Sequence, residues 1–159
     1  MKNVIEIIIM KAVVIALLIS LAVSQSFLSE PEEILLNASN GAGSTIASCA
    51  RSKVGCSYVW GKAGPNQFDC SGLAKYCYAQ VGINLPHHSG SQANMGYKVS
   101  DPQEGDLVFF DFGSGVSHVA ISIGGGQIVH ARNERVGVTK DSITSGYWHG
   151  VSHFAKRLY

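Results

Sequence analysis

The spacing of apolar residues changes once along this chain, and that change limits the possible folds more than any other feature. Up to Gly82 the period is helical. Ile46, Ala47, Cys49, Ala50 and Val54 form one stripe, which Ser44 or Thr45 can cap and Gly55 can stop. Leu73, Ala74, Cys77, Tyr78 and Val81 form the inner face of a second helix, expected to begin at Asp69 or Cys70 and to end at Gly82. Beyond that point the period falls to two. Strands are expected over residues 106–111, 116–123, 127–131 and around 154–158, with Gly124-Gly125-Gly126 turning the second into the third. Helices first and an antiparallel sheet second make the class α+β.

The 159 residues suffice for one domain. Residues 1–24 read as a cleavable leader. Lys2 and Lys11 flank an apolar run from Ala12 to Val23, and Ala22 and Ser24 are spaced for cleavage after Ser24. A membrane anchor over Val4 to Val23 would bury Glu6 and Lys11, which is costly. Residues 25–40 read as a linker and 41–159 as the folded domain, so a secreted protein is expected, with no stable membrane association once the leader is gone. A net charge of +1 leaves no basic surface for nucleic acid.

Four cysteines follow the leader: Cys49, Cys56, Cys70 and Cys77. Their spacing is not that of zinc ligands, and neither metal nor cofactor is expected. Cys49 and Cys56 are close enough for a short-loop disulfide, and Cys77 reads as a buried thiol on the second helix. Cys70 stands at the tip of that helix, where unpaired backbone N–H groups favour thiolate. Taken alone, Asp69-Cys70-Ser71-Gly72 reads equally well as a nucleophile or as a buried cysteine beside a capping acid.

The histidines shift that balance. His118 lies within one strand and His130 within the next. If Gly124 to Gly126 form a three-residue loop, residue 118 faces residue 132, and His130 becomes its diagonal neighbour on the same face, about 7–8 Å away. A two-residue loop would put the imidazoles on opposite faces. On one face, His118 can take the thiol proton while His130 fixes its tautomer. The hydroxyl of Tyr58 could approach Cys70 and donate to an oxyanion; it also reads as a core aromatic. His87-His88 is expected at a cleft edge, and His149 and His153 as surface or strand-end residues.

In order along the chain, Tyr58-Val59-Trp60-Gly61, Phe68-Asp69-Cys70-Ser71-Gly72-Leu73, Leu85-Pro86, Gln92, Gly105-Asp106-Leu107-Val108-Phe109-Phe110, Ser117-His118-Val119-Ala120-Ile121 and Ile128-Val129-His130-Ala131 resemble the motif series of the NlpC-type cell-wall peptidases. The resemblance implies a papain-like α+β fold, with N-terminal helices packed on a central antiparallel sheet. It implies hydrolysis of the γ-D-glutamyl bond to the diamino acid in peptidoglycan stems, with peptidoglycan or soluble muropeptides as the partner and a monomer as the working unit. By the same likeness Cys70 is the nucleophile, His118 the base, His130 the third polar residue and Tyr58 an active-site residue. Asp69 and Ser71 would line the substrate pocket, the acid binding the amine of the stem's L-alanine. Lys62 and His87-His88 depart from the pattern at the cleft rim. The alternatives are an amidase at the muramoyl–alanine bond, a related acyl-transfer enzyme, or a silent wall-binding module.

Overall fold

The computed structural model describes Lys2–Tyr159, so the first residue of the expected leader lies outside the described residues. The chain divides into two units, one ending at Ala38 and the other spanning Ser39–Tyr159. Helix α1 is assigned to Lys2–Ser52 and therefore includes residues 25–40, read above as linker. The first helix was expected to begin at Ser44 or Thr45. Their hydroxyls instead bond back to the Gly41 carbonyl one turn earlier, at 3.1 and 2.8 Å, which is how such residues behave inside a helix. Among the described residues no helix is long and apolar enough to cross a membrane.

The second unit is α+β. Strands β1 (Ser57–Tyr58) and β2 (Gln67–Phe68) pair in parallel and lead into α2 (Cys70–Ala79). After the single turn α3 (Ser89–Gln92) come β3 (Tyr97–Val99), β4 (Leu107–Asp111), β5 (Val116–Ser122), β6 (Gln127–Asn133) and β7 (Gly137–Ser142). The short α4 (Gly146–His149) precedes β8 (Ser152–Arg157). These six strands form one antiparallel sheet in the order β3-β8-β4-β5-β6-β7. The four expected strands are present; β3, which is short, and β7, whose second half is polar, were not anticipated.

Alternation along β4 divides the core in two. Leu107 and Phe109 face a cluster with Ile46, Ala50, Leu73, Cys77 and Tyr78 from the helices, whereas Val108 and Phe110 face Ile128, Ile143 and Trp148. Cys49 and Cys77 are joined by a disulfide, with Cα atoms 5.5 Å apart, and Cys56 is free. This corrects both the Cys49–Cys56 pairing and the reading of Cys77 as a thiol. The inner stripes of α1 and α2 meet in the same cluster, which brings Cys49 onto Cys77, while Cys56 lies past the helix end.

Candidate active site

Cys70 opens α2, and the loop before it is tied down by backbone hydrogen bonds. Val59 N–H donates to the Phe68 carbonyl at 3.0 Å and Asp69 N–H to the Lys62 carbonyl at 2.8 Å. Gly72 is required by this closeness, because a Cβ there would sit 2.1 Å from the Lys62 carbonyl oxygen. The Lys62 side chain is exposed. Its backbone makes the contact, so a lysine is tolerated where the resemblance favours glycine.

Asp69 is only 5% exposed and caps the helix. Its carboxylate accepts from Gly72 N–H (2.7 Å), Gly61 N–H (2.8 Å) and the Ser71 hydroxyl (3.0 Å), and His87 Nε2 lies 2.9 Å from both oxygens. Burial alone would raise this carboxyl, but the bonds from Gly72, His87, Gly61 and Ser71 outweigh it and hold it below its ordinary value. Asp69 is thus engaged on every side, with Ser71 turned onto it. His87, which departs from the family pattern, lines the cleft as expected and supplies one of these partners.

The Gly124–Gly126 turn meets the demand placed on it. Ser122 pairs with Ile128 and Ile121 with Val129, a register that sets residue 118 opposite residue 132. All three glycines have positive φ, between 58° and 80°. His118 Nε2 and His130 Nδ1 are 2.7 Å apart on the face that carries Phe110 and Trp148. His130 is fully buried and His118 is 8% exposed.

Beyond Ile121 and Val129 the β5–β6 ladder stops. Ile123 N–H donates to β6, so alternation turns the N–H of Val119 toward the same side, where no strand receives it. The backbone N–H groups of Val119, Ser71 and Cys70 itself lie close enough to the Cys70 thiol to favour its ionised form. Helix α2 packs against both histidine strands, and its thiol lies beside Val119 of β5. Among the described residues no hydrogen bond yet joins it to His118; such contacts commonly tighten only with substrate.

Burial pushes the Cys70 thiol up, and the nearby Asp69 charge adds to this; the three N–H groups do not offset the two. Burial and the neighbouring His130 push His118 down to about 3, and burial likewise lowers His130. The helix-tip N–H groups act in the expected direction, toward thiolate, but burial outweighs them, and both thiol and imidazole are favoured in their neutral forms at rest. Burial, then the proximity of Cys70, raises the Tyr58 hydroxyl, which stays protonated and available as a donor.

Two neighbours of the histidines were missed. Asp141 Oδ2 lies 2.9 Å from His130 Nε2 and also takes Trp148 Nε1–H at 3.0 Å and Arg132 at 3.4 Å. Trp148 stacks on His118 with ring centroids 5.1 Å apart. Thr139 faces His130, so Asp141 is its diagonal neighbour on β7. Reading Gly137–Ser142 as a strand returning from the Asn133–Gly137 turn would have found it. His149 and His153 are exposed, and each ring lies within hydrogen-bond distance of a nearby backbone carbonyl, Ile143 and Val151, at 3.1 and 2.8 Å.

The cleft beside Cys70, about 290 Å³, is lined by Trp60, Asp69, Ser71, His87, Val116 and Ser117 among others, with Trp60 81% exposed at its rim. A sequence model of the NlpC/P60 family matches residues 55–157. The probable endopeptidase p60 of Listeria monocytogenes is 46% identical over 101 residues, 62% of this chain and 20% of that protein. The NlpC/p60 domain of the peptidoglycan hydrolase SagA superposes with a TM-score of 0.65 at 37% identity, over 73% of this chain and 98% of its own. NlpC2 from Trichomonas vaginalis superposes with a TM-score of 0.67 at 30% identity, over 73% of this chain and 46% of its own. The chain thus spans about a fifth of the length of the Listeria relative.

Proposed function

Because the chain belongs to the NlpC/P60 family, we propose that it is a secreted cysteine endopeptidase cutting the γ-D-glutamyl–diamino acid bond of peptidoglycan stem peptides. Residues 1–24 are its leader and residues 41–159 its catalytic domain. The observation that carries the reading is the pair of buried imidazoles, 2.7 Å apart, on the strands against which the helix of Cys70 packs. The hydrolase named in the SagA domain's description and the probable endopeptidase of Listeria support the substrate class.

In this mechanism the Cys70 thiol gives its proton to His118 as its sulfur attacks the scissile carbonyl. The carbonyl π electrons move to oxygen. The Tyr58 hydroxyl and the backbone N–H groups at the start of α2 serve as donors to that oxyanion. His118 then protonates the departing amine, leaving a thioester on Cys70. A water gives its proton to His118, attacks the thioester carbonyl and releases the acid, and the thiol regains its proton.

Mass spectrometry of defined muropeptides digested by the mature protein tests the assignment. The expected products are a fragment ending in D-glutamate and one with the diamino acid's amine newly free. Release of intact stems from muramic acid would assign the amidase chemistry instead.

A further inference from the structure

The histidine pair continues to a third group. From Cys70 outward the side chains run His118, His130, Asp141, with contacts of 2.7 Å and 2.9 Å between successive partners. Each contact can be written with its donor, because the last member offers no choice. An ionised carboxylate only accepts, so His130 Nε2 carries the proton and donates to Asp141. A neutral His130 protonated at Nε2 has a bare Nδ1, which must accept from His118 Nε2–H. A neutral His118 protonated at Nε2 has a bare Nδ1, the one ring nitrogen left to serve the thiol.

We propose that Asp141 is the positioning residue of this site: from two side chains away it sets the tautomer of His118 that can accept the Cys70 proton. Reversing either bond would put a proton on His118 Nδ1 and abolish the base. Trp148 supports the same state, because its Nε1–H is donated to the same Asp141 oxygen while its ring stacks on His118. Arg132 Nη1 is a further donor to the same Asp141 oxygen, at 3.4 Å. Each imidazole is buried, with one hydrogen-bonding neighbour on each engaged nitrogen, and such a buried chain polarises in one direction. When His118 takes the proton, the new positive charge points down a chain that ends in a negative one.

The proposal rests on His118 being the base of the proposed function but not on which bond is cut. It is therefore tested on the thiol itself. Nitrogen-15 NMR of the histidine rings in the whole protein at about neutral pH should show Nε2–H and bare Nδ1 at both His118 and His130; a proton on Nδ1 of either would overturn it. Asp141→Ala should slow alkylation of Cys70 by iodoacetamide at about pH 6 by roughly 10- to 100-fold, the scale on which outer partners of a functional histidine act. Hydrolysis of muropeptides should fall by a similar factor in kcat with KM little changed. A folded Asp141→Ala protein alkylated at the parent rate would overturn the proposal. If that variant does not fold, the ring spectrum of the parent protein decides on its own. Muropeptides left uncut by a parent protein with the expected ring protons and an Asp141-dependent thiol would refute the peptidoglycan reading and leave this one standing.

Discussion

A cysteine with its thiol pushed up and a histidine held down to about 3 make a pair that is neutral at rest. Reactivity should then follow the thiol. The rate of Cys70 alkylation by iodoacetamide is expected to climb steadily between about pH 5 and pH 9. A rate already level by about pH 5 would reveal a preformed ion pair. Asp69 illustrates what one residue's surroundings decide. Its identity suits a cap or a substrate contact equally. Only the fold brings His87, Gly61 and Ser71 around its carboxylate, and those partners make it a structural anchor for the nucleophile's helix. His87→Ala should free part of that carboxylate and raise activity on free stem peptides, which carry an amine, relative to stems still attached to sugar. Kinetics on the two substrates would check this, and an unchanged ratio would show that Asp69 faces no amine.

At the scale of elements, the glycine turn between β5 and β6 carries the geometry of the site. Deleting Gly125 leaves a two-residue connection, which should shift the register by one and send His130 to the opposite face. The expected result is loss of hydrolysis with the circular dichroism of an α+β fold retained; retained activity would contradict the register argument. Gly72→Ala is expected to destabilise by at least about 2 kcal/mol, because the added Cβ meets backbone that cannot step aside. Urea denaturation measures it. The strands holding the histidines were legible because alternation and a glycine run are local signals. Asp141 was not, because β7 reads Gly-Val-Thr-Lys-Asp-Ser, without a clean apolar alternation, and only the turn before it hints that it pairs with β6. The Cys49–Cys77 bond was hidden for a related reason: it joins two helices 28 residues apart in sequence, and short separations do not predict packing.

For the whole molecule, two couplings should appear in stability. Selective reduction of Cys49–Cys77 releases a 28-residue span, worth about 3–4 kcal/mol in chain entropy, and should lower the denaturation midpoint. Acid should act through His118 and His130. Their protons bind more weakly in the folded chain than in the unfolded one, whose histidines titrate near ~6.5. The unfolded state therefore takes up protons first, and stability falls as pH drops from about 6.5 toward about 3. Asp69 adds to the loss below about 4, because its folded carboxyl is held down. A melting temperature constant from about pH 7 to pH 4 would contradict this.

The covalent step is the most direct test of the role of Cys70. Wild-type protein mixed with a defined muropeptide and quenched in acid within the first turnovers should show, by intact mass and peptide mapping, a thioester-linked glutamyl fragment on Cys70. His118→Ala should show none. An adduct on another residue, or turnover of the same substrate by Cys70→Ala, would contradict the claim that this thiol, on the helix packed against the two histidine strands, performs the chemistry.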